Sequence, residues 1–530
     1  MILNPTGVQG AGLRELDRTQ RGAFANKVLV RPGAARLVVV SNRVTIPDAS
    51  GKAVAGGLAV ALKEALEAHK GLWFGWSGRV AVRPSTQPQI IDKGAVQYAV
   101  MDLTAQDRQE YYSGFANRAL WPIMHYRIGL SEFSRADYAG YQRVNRAFAH
   151  ALTQLLRPDD FIWVHDYHLM PLASELRALG VTNSIGYFHH IPWPAPEVLG
   201  VLPGCSKLLR VMLDYDLIGT QTERDADNLR RGLIEELGAF AIRPLGVALD
   251  GKRTRVKAFP IGIDYDALAS AAEKSGAHRL VRQTRRSLGE RSLIMSVDRL
   301  DYSKGIPERM EAFERFLLAN PDQCGRVTFL QIAPTSRSEV PEYALLSRAV
   351  NQTLGRINGD KGEPGWIPIQ YVTSAYSRNV LAGLFRIARV GLVTPLRDGM
   401  NLVAKEFVAA QNPKDPGVLI LSRFAGVAQQ LPQALIVNPN DKFEVADAIR
   451  RALDMSLEER CARWSAMAGT LRRWDVRWWA SAFLRDLRQY GQNGGRSMSQ
   501  SQIRTPQAAR ARNRKPPLCK KYGNKRQSPL

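Results

Sequence analysis

Cysteine is scarce in this sequence: Cys205, Cys324, Cys461 and Cys519 are the only four in 530 residues. They lie far apart and form no C-x-x-C pair, so neither a zinc ribbon nor a disulfide framework is indicated. No stretch approaches the roughly 20 consecutive apolar residues of a membrane-spanning helix, and the N-terminus lacks the hydrophobic segment of a secretion signal. The sequence therefore predicts a protein of the reducing cytoplasm.

Acidic residues are also in short supply, with 49 Asp and Glu against 73 Lys and Arg, which gives a net charge of +24. Such an excess indicates anionic partners, for example phosphorylated small molecules or polyanions. Nine of the basic residues stand in the acid-free stretch 497–530, which leaves +15 for the rest of the chain. We expect a disordered basic tail at 493–530 that binds polyanions weakly, and a disordered extension at 1–35.

Apolar residues make up 45% of the chain, enough to build a packed core. Short β-branched runs alternate with helical patterns, a series typical of parallel sheets covered by helices on both faces. The sequence therefore predicts two doubly wound α/β domains. The first series of predicted strands is 37–40, 161–164, 185–188, 217–219 and 256–261, and the second is 293–297, 327–332, 367–372, 390–393, 418–421 and 435–437.

The division between the two domains is expected near Pro260 and Gly262, which interrupt the strand and helix patterns. Trp474, Trp478, Trp479, Phe483 and Leu487 then follow at helical spacing. We expect a first domain at 36–260, a second domain at 261–470, and a closing helix at 471–492 that packs back on the first domain.

The most informative motif is VTPLRDGMNLVAKE at 393–406, which reads as a strand, a polar loop with a glycine, and a helix. Ligands of parallel α/β sheets lie beyond the carboxyl ends of strands, where helix N-termini favour phosphate. Leu402 and Glu406 would share one helix face, so Glu406 can present a carboxylate to a ligand. An ordinary strand-to-helix turn capped by Asn401 is the competing interpretation.

Two further motifs have the same character. SVDRLDYSKGIP at 296–307 places Arg299 and Lys304 beside a predicted helix start, as a departing diphosphate would require. VSNR at 40–43 is followed by AGGL at 55–58, where two glycines would allow a ligand to approach the backbone. Solvated surface charge and an ordinary turn are the competing interpretations.

Four of the eight histidines cluster at predicted strand ends, in HDYH at 165–168 and HH at 189–190. Their spacing does not match a zinc motif, so no metal is expected. Asp166 and one of the two adjacent histidines, His189 or His190, are better interpreted as ligands of sugar hydroxyls. The D-x-D strings at 214–216 and 264–266 resemble a motif that binds a metal and a diphosphate, but each is a short and common match. The cationic loop makes a metal unnecessary for binding a diphosphate.

With these stretches identified, residues 36–490 resemble the trehalose-6-phosphate synthase family, which consists of retaining glycosyltransferases of the GT-B type, family 20. The motifs agree in order along the chain: VVVSNR, AGGLAV, GLWFGWSG, HDYHL, DRLDYSKG, IAPTSR and PLRDGMNLVAKE. The resemblance implies two Rossmann-like domains that face each other across a cleft, an acceptor domain at 36–260 and a nucleotide-sugar domain at 261–470. It also implies transfer of glucose from UDP-glucose to glucose 6-phosphate with retention, which gives α,α-trehalose 6-phosphate and UDP for trehalose biosynthesis.

The resemblance also assigns the site residues. Those implied to act in catalysis are Asp166, His190, Arg299, Lys304 and Asp398. Those implied to bind the acceptor are Arg43, Tyr112, Trp121, Asp166 and Arg337. Those implied to bind the donor are Gly56, Gly57, His190, Arg299, Lys304, Tyr376, Asp398, Gly399, Met400, Asn401, Leu402, Val403 and Glu406.

Departures from the family pattern are few: Trp193 where Phe is common, His189 where Leu is common, and the two extensions. Members of the family use a front-face route in which the departing phosphate takes the acceptor proton, so neither a cofactor nor an enzymic nucleophile is implied. The sequence does not determine the oligomeric state, and a homo-oligomer, either a dimer or a tetramer, is considered.

Three alternatives compete with this interpretation. A glycoside hydrolase would need a pair of positioned carboxyl groups, but a diphosphate already leaves well once it is neutralised. A regulator without activity would show damage in the cationic loops, and none is seen. A sister transferase with another phosphorylated acceptor, such as glycerol 3-phosphate in a glucosylglycerol-phosphate synthase, or with GDP or ADP in place of UDP, would share most of the donor motifs.

Overall fold

The protein is described by a computed structural model that covers residues 35–47, 57–336 and 340–491. Most of the predicted extension at 1–35 and the whole predicted tail at 493–530 lie outside the described residues, as do Gly56 and Arg337. Strands and helices alternate along the described chain, and the strands form two sheets.

The strands are β1 Leu37–Arg43, β2 Leu72–Ala81, β3 Gln89–Lys93, β4 Val96–Thr104, β5 Phe161–His165, β6 Ser184–Phe188, β7 Leu217–Thr220, β8 Phe240–Ile242, β9 Gly246–Leu249, β10 Lys252–Ala258, β11 Ser292–Val297, β12 Val327–Ile332, β13 Ile369–Val372, β14 Val390–Val393, β15 Val418–Ser422 and β16 Leu435–Val437. The α-helices are α1 Gly57–Ala68, α2 Ala105–Asp107, α3 Trp121–Met124, α4 Arg135–Thr153, α5 Leu172–Ala178, α6 Pro196–Leu199, α7 Cys205–Met212, α8 Glu223–Leu237, α9 Tyr265–Lys274, α10 Arg279–Leu288, α11 Ile306–Ala319, α12 Pro341–Lys361, α13 Arg378–Ile387, α14 Leu402–Ala410, α15 Lys442–Asp454, α16 Leu457–Arg473 and α17 Val476–Gly491. Between α2 and α3, Arg108–Leu120 is wound as a π-helix.

The first sheet has ten strands in the order β3-β4-β2-β1-β5-β6-β7-β10-β9-β8. Its seven inner strands, from β4 to β10, pair in parallel, and antiparallel strands close both edges. The second sheet, in the order β13-β12-β11-β14-β15-β16, is parallel throughout. This architecture confirms the predicted pair of doubly wound α/β sheets. All eleven predicted strands are present, with ends shifted by a few residues.

Runs of apolar residues explain why the inner strands form. In β1, Val38, Val39 and Val40 are fully buried, as are the neighbouring residues of β5. Helices cover both faces of such a strand, so its residues need no polar alternation. Residue Val39 pairs with Trp73 of β2 on one side and Trp163 of β5 on the other, which fixes the register of the three strands.

The last helix, α17, returns to the first sheet. Phe483 stacks on Trp163 of β5, with ring centroids 4.5 Å apart and planes 9° apart. Strands β6 and β7 carry glycines below it, and a Cβ on Gly186 would lie 2.8 Å from the Phe483 ring. The helix begins at Val476 and not at 471, because Trp474 leaves the helical conformation (φ −111°, ψ 58°) and ends α16.

Two other properties bear on the predictions. Within the described segments, none of the helices combines the length and the apolarity that crossing a membrane requires. Cys205, Cys324 and Cys461 are free thiols.

Candidate active site

The residues singled out by sequence lie at the carboxyl ends of strands in both sheets. Residue Arg43 ends β1, Asp166 follows β5 and His190 follows β6, and these three strands are neighbours in the first sheet. In the second sheet, Arg299 follows β11 and Asp398 follows the adjacent strand β14. Parallel strands bring their carboxyl ends to one edge, where ligands of such sheets bind.

Two aromatic side chains on the helical segment after β4 belong to the predicted acceptor half. Tyr112 lies on the π-helix and stacks on His168, with ring centroids 5.8 Å apart and planes 11° apart. Trp121 begins α3 and is buried, 4.0 Å from the ring of His125. Arg43 is exposed beside Gly78, where a Cβ would lie 2.6 Å from the Arg43 Nε. Arg337, the remaining predicted acceptor residue, lies outside the described residues.

Asp166 has a backbone conformation that few non-glycine residues adopt, with φ at 74°. Its N–H donates to the Phe188 carbonyl at 2.8 Å, and its Oδ1 accepts from the His190 N–H at 3.3 Å. The carboxylate is thus held at the end of β6, beside His190.

Three histidines of this edge, His165, His189 and His190, are neutral. Burial lowers the pKa of both His189 and His190 to about 3, and burial with the nearby His190 places that of His165 well below its usual range. The Nδ1 of His165 lies 2.9 Å from the Nε2 of His190. His189 instead bonds within its own loop, with Tyr187 Oη 3.0 Å from its Nδ1. Of the two adjacent histidines, His190 is the one beside Asp166.

No group of three or more His, Cys, Asp or Glu side chains in the described part of the chain is arranged to hold a metal ion. The D-x-D carboxylates are used elsewhere, since Asp214 pairs with Lys252 at 2.5 Å and Asp216 with Arg177 at 3.1 Å.

An ion pair dominates the second-sheet half of the site. Lys304 Nζ lies 2.5 Å from Asp398 Oδ2, and Asn401 Nδ2 donates to the same oxygen at 3.0 Å. Burial alone would raise the pKa of Asp398, but Lys304 outweighs it and holds the pKa below the usual 3.8. Burial likewise opposes the charge of Lys304, yet Asp398 and Asp298 raise its pKa above 10.5. Both groups are therefore charged across the physiological range.

A fully buried arginine supports this pair from behind. Arg309 of α11 contacts Asp298 at 2.8 Å and Gln331 at 2.9 Å through Nη1, and its Nη2 donates to the Lys304 carbonyl at 2.9 Å. The guanidinium fixes the loop that carries Lys304 against the ends of β11 and β12. Sequence reasoning missed this residue, because an arginine inside an amphipathic helix gives no sign that it is buried.

Arg299 has no ion-pair partner among the described residues and is exposed. Its guanidinium carbon lies 5.7 Å from the ring centroid of Trp121, a cation–π contact between the two halves of the site. The predicted diphosphate cation of one sheet therefore rests on the predicted acceptor aromatic of the other.

The loop before α14 meets the first sheet at Gly399. A Cβ at this position would lie 2.4 Å from the His190 carbonyl oxygen and 2.9 Å from Ile191, so only glycine allows this approach. Met400 is buried next to it and its carbonyl accepts from the Val427 N–H at 2.9 Å. Asn401 caps α14 through its Oδ1, which accepts from the Ala404 N–H at 3.1 Å. The loop is both a helix cap and a contact between the sheets.

The remaining predicted donor residues lie along and near α14. Leu402, Val403 and Glu406 are half-buried in its first turns, and burial raises the pKa of Glu406, whose nearest cation is Arg378 at 4.0 Å. Tyr376 is half-buried before α13. The backbone of Gly57 begins α1, whereas Gly56 lies outside the described residues.

Two further contacts between the sheets were not predicted. The Arg397 guanidinium carbon lies 3.6 Å from the ring centroid of Tyr126, whose hydroxyl accepts from the Ala195 N–H at 2.9 Å. Lys405 is fully buried and donates to the Ile261 carbonyl at 2.6 Å and to Gln430 at 2.7 Å, and burial lowers its pKa to about 7. Arg397 and Lys405 both belong to the 393–406 motif that the sequence indicated. Their partners, the Tyr126 ring and the Ile261 carbonyl, come from distant parts of the chain, so the contacts could not be predicted.

Comparison with known proteins assigns this chain to a family. The model of glycosyltransferase family 20 matches residues 35–489. A trehalose-6-phosphate synthase of Sinorhizobium fredii is 52% identical over 459 residues, which cover 85% of this chain and 98% of that protein.

Solved structures give the same result. A UDP-forming α,α-trehalose-phosphate synthase of Burkholderia xenovorans in complex with glucose 6-phosphate is 47% identical, with a TM-score of 0.83 over 86% of this chain and 100% of that one. An Escherichia coli protein described as trehalose-6-phosphate and bound with UDP-2-fluoro glucose is 45% identical, with a TM-score of 0.82 over 86% and 99%. The fold is therefore the two-domain GT-B arrangement, and this chain belongs to glycosyltransferase family 20.

Proposed function

We propose that this chain transfers the glucosyl group of UDP-glucose to glucose 6-phosphate with retention, which forms α,α-trehalose 6-phosphate and UDP. Family membership supports glycosyl transfer. The names of the relatives support the acceptor and the UDP product, and two of the solved relatives hold glucose 6-phosphate and a fluorinated UDP-glucose. The enzyme would thus serve trehalose biosynthesis.

One observation carries the proposal for this chain: Arg299 lies 5.7 Å from Trp121. A transferase must hold the leaving phosphate and the attacking hydroxyl at the same sugar carbon, with the hydroxyl oxygen about 3 to 3.5 Å from that carbon before reaction. The contact brings a free cation from the donor half against an aromatic wall of the acceptor half. Gly399 repeats the approach a few residues away, against His190.

We assign the donor phosphates to Arg299 and Lys304. Negative charge develops on the diphosphate as it departs, so the two positive charges stabilise the transition state more than the bound substrate. Arg299 is free to turn from Trp121 to a phosphate, while Lys304 is held by Asp398. Asp398 would accept hydrogen bonds from the glucosyl hydroxyls, and His190 would donate a hydrogen bond to one of them.

The rest of the nucleotide sugar is assigned to the segments around α14 and α1. Glu406 would meet the ribose hydroxyls and Tyr376 the uracil ring. The loop and first turn of α14 would enclose the sugar and phosphates. The backbone of the glycine pair at 56–57, where α1 begins, would also contact the donor. These loop and glycine residues are Met400, Asn401, Leu402, Val403, Gly399, Gly56 and Gly57.

The acceptor is assigned to residues that end or follow strands of the first sheet, together with Arg337, which comes after β12 of the second sheet in the sequence. Arg43 and Arg337 would bind the 6-phosphate, because guanidinium groups match phosphate oxygens in pairs. Tyr112, Trp121 and Asp166 would contact the sugar ring and its hydroxyls. In the reaction the bond between the glucosyl C1 and the phosphate oxygen breaks, a bond from C1 to the acceptor O1 forms on the same face, and the departing phosphate takes the O1 proton.

The test is the product made by the purified chain. Incubation with UDP-glucose and glucose 6-phosphate should release UDP and a disaccharide phosphate that NMR identifies as α,α-linked. In parallel reactions, glycerol 3-phosphate as acceptor and GDP-glucose or ADP-glucose as donor should each give a lower kcat/KM than glucose 6-phosphate and UDP-glucose. A preference for glycerol 3-phosphate would replace this proposal with the sister transferase, and a preference for another base would correct the donor.

We further propose that the chain acts in the cytoplasm, where sugar nucleotides and sugar phosphates are made, as a homo-oligomer. The division into domains at 36–260 and 261–470, with a basic tail at 493–530 that binds polyanions weakly, belongs to the same proposal. Light scattering of the purified chain tests the oligomer. Truncation after Gly495 should leave the kinetic constants unchanged but weaken retention on a heparin column in a salt-dependent way.

A further inference from the structure

His165 has no role in the proposed reaction, yet it is bonded to a residue that has one. It ends β5, is fully buried, and its Nδ1 lies 2.9 Å from the Nε2 of His190. The rings lie 5.2 Å apart and nearly parallel, with 27° between their planes. The contact therefore links the interior of the first sheet to the edge where the donor would bind.

Each of the two rings carries one ring hydrogen, because both are neutral. In a bond between two neutral imidazoles one nitrogen donates and the other accepts, so the tautomer of one ring decides that of the other. The surroundings of His165 show which arrangement holds.

The other nitrogen of His165, Nε2, is buried and has no hydrogen-bond partner among the described residues. The rings around it are Trp163, at 4.7 Å between centroids, and Trp479 of α17, at 6.3 Å. The indole N–H groups of both are also buried without a partner. A buried N–H without an acceptor is rarer and costlier than a buried acceptor nitrogen without a donor, so Nε2 is favoured as the unprotonated nitrogen. The hydrogen of His165 is then on Nδ1.

A hydrogen on His165 Nδ1 has a consequence for His190. The Nε2 of His190 must accept this hydrogen bond, so His190 carries its own hydrogen on Nδ1. That Nδ1 has no partner among the described residues, and the His190 side chain is half-buried at the edge of the sheet. Asp166, bonded to the His190 backbone, offers carboxylate oxygens at the same edge.

We propose that His165 is a positioning residue that fixes the ring of His190 and its tautomer, so that His190 presents an Nδ1–H donor to a hydroxyl oxygen of the bound sugar. The assignment rests on the proposed function only in naming the sugar. Asp166 beside it would accept a hydrogen bond from a hydroxyl of the acceptor sugar, whereas His190 would donate one to the glucosyl group. The closing helix contributes to this environment, because Trp479 packs beside the His165 ring with the ring centroids 6.3 Å apart.

The first test needs no activity, and its one variant serves only to assign the His190 signals. In the full chain labelled with ¹⁵N-histidine, long-range ¹H–¹⁵N spectra report which ring nitrogen of each of the eight histidines is protonated. We expect His165 and His190 each to show a single neutral form protonated at Nδ1, with His190 assigned from the spectrum of a His190→Gln variant. Protonation of His190 at Nε2, or rapid exchange between its two forms, would overturn the proposal.

The second test compares two amides at position 165. In His165→Asn the side-chain amide takes the place of Nδ1 and can still donate to His190, whereas in His165→Gln it takes the place of Nε2. We expect kcat/KM for UDP-glucose to fall less than threefold in the Asn variant and about tenfold in the Gln variant, the effect of one lost hydrogen bond. The KM for glucose 6-phosphate should not change in either, and equal losses in both would contradict the assignment.

The two tests separate this proposal from the proposed function. If the wild type makes no trehalose 6-phosphate but the spectrum shows both rings protonated at Nδ1, the function is wrong and the positioning stands. If the product forms but His190 is protonated at Nε2, the function stands and the role of His165 is wrong.

Discussion

Replacement of Lys304 by methionine should expose how much of the site depends on its ion pair. The substitution keeps most of the volume and removes the charge, which leaves the Asp398 carboxylate buried with Asn401 as its remaining side-chain donor. Loss of one partner of a buried pair typically costs 3–5 kcal/mol. The two side chains keep 13% and 16% of their exposure, so the lower end applies. We expect the free energy of unfolding to fall by about 3 kcal/mol at neutral pH.

The loss should depend on pH in a defined direction. In the wild type the pKa of Asp398 is below 3.8 and that of Lys304 above 10.5, so the stability that the pair contributes is constant between these values. It is lost as the pH falls through the lowered pKa of Asp398 or rises through the raised pKa of Lys304. Without Lys304, burial raises the pKa of Asp398, and the carboxyl becomes neutral in the folded state as the pH falls. The deficit of the variant should therefore shrink from pH 7.5 to pH 4.5.

Urea unfolding of the single and double variants measures these quantities. Asp398→Asn alone leaves the lysine buried without its charge partner and should cost a similar amount. The double variant Lys304→Met with Asp398→Asn replaces the pair with neutral groups and should recover to within about 1 kcal/mol of the wild type. None of the three should transfer glucose at a normal rate. Additive losses in the double variant, or a deficit that does not change with pH, would refute the reasoning.

Four further outcomes are expected. Arg299→Ala should lower kcat about a hundredfold without change in the unfolding midpoint, because this guanidinium has no ion-pair partner among the described residues. Gly399→Ala should lower kcat/KM for UDP-glucose by a similar factor, since its methyl group would meet the His190 carbonyl 2.4 Å away. Arg337→Lys should raise the KM for glucose 6-phosphate and leave that for UDP-glucose nearly unchanged, because an ammonium cannot pair with two phosphate oxygens. Activity should survive exhaustive treatment with EDTA, because the two donor cations supply the charge that a metal would provide.

Each of these has its control or contrary result. Gly469→Ala, in the open middle of α16 with nothing within 4 Å of its Cβ, should stabilise the chain slightly and leave activity intact. Normal turnover of the Arg299 variant would remove it from the phosphate site. A rise in both KM values for the Arg337 variant would mean that it does more than bind the acceptor. Loss of activity in EDTA that Mg²⁺ restores would contradict a reaction without metal.

Much of the fold could be predicted because parallel strands are apolar along their whole length. The runs that become β1, β5 and β14 are continuous and flanked by helical patterns. The edge strands β3 and β8 were missed, because their residues are mostly exposed and show no clear period. The mostly buried strands β4 and β9 were missed as well. β2 was missed for another reason: its aromatic sequence LWFGWSG was noticed as a motif and not as a strand.

The polar loops of the site could also be found, since each motif pairs glycine with charge after an apolar run. What sequence could not show is which groups from the two sheets meet. The contact of Arg397 with Tyr126 joins positions 271 residues apart, and Lys405 reaches a carbonyl in the segment that links the sheets. Burial of a charged residue depends on such partners, so no local pattern distinguishes Lys405 or Arg309 from the exposed lysines and arginines of other helices.

The return of α17 to the first sheet has a consequence for synthesis of the chain. The last strand of that sheet ends at Ala258, but the helix that covers Trp163, Gly186 and the other residues of one face ends at Gly491. At about 5–20 residues per second, the ribosome needs roughly 10 to 50 s to add the intervening residues. During that interval the second sheet can form as a unit, while the first keeps an uncovered aromatic face. That face is where a nascent chain of this protein would bind a chaperone, and truncation before Val476 should turn a transient exposure into aggregation.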